Sequence, residues 1–197
     1  MAALITIQIP AQNFEVIRNS IGTLLAEELA SQTAANDVTV WENRFIAFDN
    51  SELPAINVSY DNTPYDNHNA QSRRGVNKYY IDVIVSAKHS STQKADYRSS
   101  LLCQKIAGIV AYILSSAEYH TLGLTTGLIQ SRWVESLQMG KLAEQDSLHT
   151  IVCRVTFNVI AREDVGNLTG TPLEIISSQV KLNETEKGYK FELIKEE

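Results

Sequence analysis

The residue types that carry most enzyme chemistry are sparse in this sequence, and their spacing suits none of the common constellations. Its four histidines, His68, His89, His120 and His149, form no HExxH pattern and no pair at four-residue spacing, the arrangement that puts two imidazoles on one helix face around zinc. Solvated loop or strand-end positions are the expectation for all four. Cys103 and Cys153 lie in apolar stretches without a CxxC or a neighbouring His, so both read as small core residues rather than ligands, nucleophiles or a disulfide pair. The nine glycines build neither a GxGxxG nor a GxxxxGK phosphate cradle, and Gly123-Leu-Thr-Thr-Gly127 reads as a flexible connection. There is no GxSxG elbow to expose a serine nucleophile. The expectation is a protein that is not an enzyme, with no cofactor and no metal site.

Charge narrows the partners. Lys and Arg number 17 against 23 Asp and Glu, a net charge of −6, which lacks the basic footprint behind most nucleic-acid affinity. The adjacent pair Arg73-Arg74 is too short to change that; it reads as a solvated loop pair or as an inter-subunit or phosphate contact. Composition, at 44% hydrophobic and 20% charged, is that of a folded soluble chain of 197 residues, enough for one domain with an appendage. The longest apolar run, Ile106 to Leu114, falls far short of the ~20 residues of a membrane-spanning helix. The segment from Met1 to Pro10 lacks the basic start and cleavage site of a signal peptide. Synthesis in the cytoplasm and no membrane partner are expected.

What remains is the scaffold. Residues 13 to 32 open with Asn13 as a candidate N-cap and space Phe14, Ile17, Ile21, Leu24, Leu25 and Leu29 as one helix face. Val38 to Phe48 and Ala55 to Tyr60 read as paired strands around an Asp-Asn-Ser turn, and Asp61 to Asn77 as a long polar loop holding Arg73 and Arg74. Lys78 to Lys88 alternates, with Tyr79, Ile81, Val83 and Val85 on one face. A second helix spans about Ser91 to Ser116 and carries a broad apolar stripe, in which Ala107 or Gly108 leaves room for a close backbone approach. Leu128 to Met139 places Ile129, Trp133, Leu137 and Met139 against Gln130, Arg132, Ser136 and Gln138. Leu148 to Ala161 alternates most cleanly of all, implying an antiparallel sheet packed on one side. Beyond Asp164, Ile176, Val180 and Leu182 precede a polar turn ending in Gly188, with Tyr189, Phe191 and Leu193 after it, which reads as a hairpin. The expected fold is α+β: an antiparallel sheet with two helices on one face over residues 1–164, with 1–10 as an N-terminal arm, and a C-terminal hairpin extension over 165–197.

The succession of these motifs resembles a known family. The amphipathic helix, the strand Leu53-Pro-Ala-Ile-Asn-Val-Ser59, a polar loop, Tyr80-Ile-Asp-Val-Ile-Val-Ser86, a helix from about Ala95-Asp96 with Leu101-Leu-Cys-Gln-Lys-Ile106, and Ile151-Val-Cys-Arg-Val-Thr-Phe-Asn-Val159 together look like the tail terminator proteins of tailed bacteriophages, also called tail completion or head-to-tail joining proteins. The likeness covers roughly residues 13 to 162, and the C-terminal hairpin exceeds the smallest members. It implies a structural virion protein that forms a ring, commonly six-fold, on the last ring of the tail tube, stops its polymerisation and offers a platform to head or neck connector proteins. Partners would be further copies of itself, the tube protein, neck connectors and, for a contractile tail, sheath. An acidic chain suits a conduit that DNA passes through without being held. A closed ring needs two different complementary surfaces per subunit. The candidates are Ile5 and Ile7 in the Leu4 to Ile9 arm, which alternates as a strand that adds to a neighbour's edge or to its own core, the pair Arg73 and Arg74, and Ile176, Val180, Tyr189 and Phe191 in the hairpin. The competing readings are another neck or tail assembly component and a small-molecule-binding α+β domain.

Overall fold

Apolar side chains at three- and four-residue spacing fold the N-terminal region into helix α1 (Asn13–Ala30), whose Ile17, Ile21, Leu25 and Leu29 are buried. Its N-cap is Gln12, one residue before the expected Asn13, and the Gln12 backbone N–H donates to the Glu15 carboxylate at 3.0 Å. The computed structural model describes residues 11–66, 72–86, 94–141, 150–164, 175–180 and 189–194. After α1 come strands β1 (Thr39–Glu42), β2 (Ala55–Asn62), the two-residue β3 (Tyr65–Asp66) and β4 (Ser72–Ser86), then helix α2 (Ala95–Ser115) and strands β5 (Ile129–Lys141) and β6 (Thr150–Asp164).

The strands form one sheet in the order β1-β2-β4-β6-β5, with β3 paired to β4. Alternation sets its two faces. Tyr79, Ile81, Val83 and Val85 of β4 and Cys153, Val155, Phe157 and Val159 of β6 are buried in one cluster with the inner residues of both helices. Each fully buried aliphatic or Phe side chain contributes about 1.5–3 kcal/mol, so this face dominates stability. Tyr79 lies in it because its hydroxyl donates to the Phe14 carbonyl at 3.1 Å, which satisfies the one polar atom that burial would orphan. The expected α+β class with both helices on one face is the observed one.

Three details differ from the sequence reading. First, β1 and β2 are parallel, with Val40 opposite Ile56, whereas every other sheet pair is antiparallel, so the sheet is mixed rather than purely antiparallel. The expected strand from Val38 to Phe48 stops at Glu42, because Asn43 turns with φ 53° and the segment 43–54 folds back before entering β2. Second, most of the expected loop from Asp61 to Asn77 is strand. The ladder from Ser72 opposite Asp164 to Asn77 opposite Val159 satisfies that backbone, and the partner, not the polar side chains, decides the conformation. Third, register shifts between Ile129 and Ser131 and between Val134 and Ser136 reverse the facing of part of β5. Arg132, Val134, Leu137 and Met139 oppose the inward residues Val159, Phe157, Val155 and Cys153, while Trp133 opposes Asn158 on the other face. Trp133 therefore does not share a face with Leu137 and Met139: one inserted residue exchanges the faces downstream.

The chain divides into two compact units, Ile9–Val165 and a second that joins Met1–Gln8 with Gly166–Glu197, with one boundary near residue 165. Beyond that boundary, β7 (Ile175–Val180) and β8 (Tyr189–Ile194) pair antiparallel, as the expected hairpin, with Ile176 opposite Leu193 and Val180 opposite Tyr189.

Candidate functional site

Among the described residues, the most heavily braced irregular segment is the return from β1 to β2, residues 43–54. The Asn43 N–H still donates to the Val58 carbonyl at 2.8 Å, and the next residue leaves the ladder. Asn57 on β2 then clamps Arg44 from both sides: its Oδ1 accepts from the Arg44 N–H at 3.0 Å and its Nδ2 donates to the Arg44 carbonyl at 2.9 Å. The Arg44 guanidinium forms a two-pronged ion pair with Glu52 at 2.7 and 2.9 Å and donates to the carbonyls of Ile46 and Ala47 at 3.3 and 3.2 Å. It also lies over the rings of Trp41 and Phe48, with centroids at 4.7 and 4.3 Å. The Arg44 hydrogen bonds, followed by that from the Asp49 N–H, hold the Glu52 carboxyl below the ordinary carboxylate value. Phe48 completes the brace by packing with Ala55 and Ile84 in a small cluster on the sheet face away from the helices.

Its tip carries two large apolar side chains in solvent. Phe45 is 87% exposed and Ile46 77% exposed, on a backbone gripped on either side. A loop of small polar residues would satisfy the same backbone, so the apolar tip has no internal purpose. A tip held in one conformation has little ordering left to lose on any contact.

Beside the Phe48 cluster, the face of the sheet away from the helices carries paired polar side chains. Arg154 on β6 forms a two-pronged contact with Asp82 on β4 at 2.7 and 2.8 Å and lies 4.4 Å over the Tyr80 ring. Lys78 reaches Glu135 at 3.2 Å, and Asn158 donates to the same carboxylate at 2.8 Å. Exposed pairs of this kind contribute little to stability but fix the side chains in a ladder across β4, β6 and β5. The ladder holds no imidazole. His120, the one histidine among the described residues, lies in an exposed turn with its Nδ1 3.2 Å from the Ala117 carbonyl oxygen. No group of three or more His, Cys, Asp or Glu that could hold a metal ion occurs among the described residues.

The two cysteines meet in the core between α2 and β6. The hydrogen bond between the sulfurs, and then burial, push the Cys103 thiol far up, so it stays protonated and unreactive. On the same layer, Arg132 reaches from β5 to donate to the Leu114 and Ser116 carbonyls at the end of α2, where a guanidinium complements the orphan acceptors and the negative end of the helix dipole. Burial lowers its pKa.

A groove of about 370 Å³ runs between the C-terminal end of α1 at Glu28, with Gln32 just beyond it, and α2 at Lys105, Gly108 and Tyr112. Tyr119 closes one end, its pKa pushed up to about 12 first by the hydrogen bond with Glu28 and then by burial. Tyr112 beside it is 77% exposed. Gly108 is in the interior of α2, and a Cβ added there would meet nothing within 4 Å. On the edge strand β5, Leu137 and Met139 are exposed on the helix side of the sheet and Trp133 on the other side.

Of the positions singled out in the sequence, Arg73 and Arg74 lie on β4, opposite Glu163 and Arg162, rather than in a loop, and Arg74 also opposes Asp66 of β3. Ile176, Val180, Tyr189 and Phe191 occupy register positions of a single face of the β7-β8 hairpin. Ile5 and Ile7 lie outside the described residues. The sequence reading missed Phe45 and Ile46, which it assigned to a strand. The signal that was available is the Asn-Arg pair before them, which favours a turn. No helix among the described residues is long and apolar enough to cross a membrane.

No family model matches this chain, and no curated protein matches it. Among solved structures it is similar to a chain described as the virion of a native gene transfer agent particle, at 15% identity and a TM-score of 0.47, over 74% of this chain and 94% of that one. A second solved chain is similar at 14% identity and a TM-score of 0.44, over 76% of this chain and 96% of that one. Neither identifies a family for this chain.

Proposed function

We propose that this protein is a structural virion component of a tailed phage or phage-like particle, which caps the end of the tail tube as a ring, stops tube polymerisation and offers the attachment platform for head or neck. The observation that carries the proposal is the presence of two unlike surfaces on one core, an exposed apolar tip at Phe45 and Ile46 and a groove of mixed polar and apolar lining beside Gly108. Head-to-tail rings are built from unlike surfaces of this kind. The order of elements shared with tail terminators supports the finer reading, a six-fold ring on the tube.

The mass of the purified protein, measured alone and with tube ends, tests this. A ring of about six copies, formed in solution or on tube ends, is the expected result. A strict monomer that does not bind tubes refutes it. The β7-β8 hairpin, which belongs to a unit other than the core, favours a second reading, a neck or sheath adaptor, because a two-stranded hairpin is marginally stable by itself.

A further inference from the structure

We infer that residues 4–8 add to the β7-β8 hairpin as a third strand, antiparallel to β8, with Ile5 opposite Leu193 and Ile7 opposite Phe191. Both ends of the chain then build one three-stranded appendage. The inference goes beyond the capping reading and does not depend on it.

The occupant of the hairpin edge is given by the division of the chain. Met1–Gln8 belongs to the compact unit of Gly166–Glu197 and not to the core unit, which makes the hairpin, and not the core sheet, its neighbour within the chain. The hairpin needs such a neighbour. Among the described residues β8 pairs with β7 alone, so every second N–H and C=O along its other edge lacks a strand partner. Two strands are marginally stable in water, and a third with a shared apolar face is what independent stability requires. The register supplies that face: Ile176 opposite Leu193, Ser178 opposite Phe191 and Val180 opposite Tyr189 share it, while Ser177 opposite Glu192 and Gln179 opposite Lys190 lie on the other.

The pairing partner and register follow from the order of residue types. Residues 4–8, Leu-Ile-Thr-Ile-Gln, carry no charge and are rich in β-branched side chains. Set antiparallel to β8, Leu4 meets Ile194, Ile5 meets Leu193, Thr6 meets Glu192, Ile7 meets Phe191 and Gln8 meets Lys190. Every apolar residue opposes an apolar one and every polar residue a polar one. Slipping by one residue sets Ile7 against Lys190 or Glu192 and exchanges the faces. On β7 the run Ser177, Ser178, Gln179 breaks the alternation, so residues 4–8 find no antiparallel register there that matches throughout. In the β8 register Ile5 and Ile7 extend the apolar face of the hairpin, and Thr6 and Gln8 the polar one. Whatever this appendage binds, the N-terminal residues are then part of its fold.

Engineered disulfides test the register in the full chain. Directly opposite residues of an antiparallel pair have Cβ atoms about 4.5–5.5 Å apart, whereas positions two strands away are separated by roughly 10 Å. Thr6→Cys with Glu192→Cys should therefore bridge within one chain under mild oxidation, at least about tenfold more than Thr6→Cys with Ser177→Cys. Non-reducing electrophoresis and peptide mass read the product, and the native Cys103 and Cys153 are buried. Equal yields, a larger yield for the Ser177 pair, or bridges only between chains would overturn the inference. Hydrogen exchange reads the pairing in the unmodified chain. With strands on both sides β8 protects consecutive amides, and in a bare hairpin only alternate ones. Removing residues 1–9 should return alternate β8 amides to exchange faster by about tenfold or more, with β4 and β6 unchanged. A β8 pattern unaffected by the removal overturns the inference, and so does a loss of protection in β4 and β6, which would assign the segment to the core. Neither readout involves a tube or a ring, so failure here leaves the capping function to be judged separately by tube length.

Discussion

Replacing Gly108 by Ala should make the folded chain more stable. The added methyl meets no atom of the protein within 4 Å, so no steric cost arises, and the position is in the interior of a 21-residue helix. The gain is the difference in helix propensity, about 1 kcal/mol, most of it from the smaller backbone entropy of the unfolded chain. For a domain of this size that corresponds to a rise of about 2–4 °C in melting temperature. Gly75→Ala is the internal control. Its Cβ would fall 2.5 Å from the Thr63 methyl and 3.0 Å from the Pro64 carbonyl oxygen, a backbone atom that cannot swing away, so that variant should melt lower than wild type. Differential scanning calorimetry on the wild type and the two variants measures both signs. An unchanged or lowered melting temperature for Gly108→Ala would refute the view that the glycine has no packing role within its own chain.

Three further outcomes follow from the same geometry. Arg132→Met removes the donor to the Leu114 and Ser116 carbonyls while keeping most of the packing; discounted for partial exposure, the loss is about 1–2 kcal/mol by urea denaturation. Because Arg44 lowers the Glu52 pKa, the stabilisation from that pair is fully present above the ordinary carboxylate value, roughly 4.3, and is lost as pH falls through the lower folded value. Glu52→Gln should therefore flatten the acid limb of the stability curve, and an unchanged limb would show that the pair is not coupled to folding. The Cys103 thiol should resist a thiol-reactive disulfide reagent at pH 8 in the native protein and react once the chain is unfolded; rapid native labelling at Cys103 would contradict the buried, protonated state.

The parts of the fold that were legible in the sequence are those where one side chain pattern decides one structure. Ile17, Ile21, Leu25 and Leu29 could only be a helix face, and Cys153, Val155, Phe157 and Val159 only a strand face, because burial on one side imposes the period. The turn ending in Gly188, between apolar residues at period two, similarly marked the β7-β8 pair. What escaped was set by partners distant in sequence. Ser72 to Asn77 carry no strand signal of their own and are extended because residues 159–164 supply the ladder. The bulge between Val134 and Ser136 leaves no mark in composition, yet it separates Trp133 from Leu137. The tip at Phe45 and Ile46 was hidden because its brace joins Arg44 to Glu52 and Asn57 across a fold-back that local periodicity does not register. Its two apolar residues look like strand, and only their exposure separates them from one.

The central claim is that the protein ends the growth of a tail tube, and the length of tubes assembled in its absence tests it most directly. Electron microscopy of particles or lysates from a host in which this chain is deleted should show tubes well beyond the normal length and no joined heads, with the length restored by the wild-type chain. Tubes of normal length that merely fail to join heads would contradict the account and assign the chain to the neck instead.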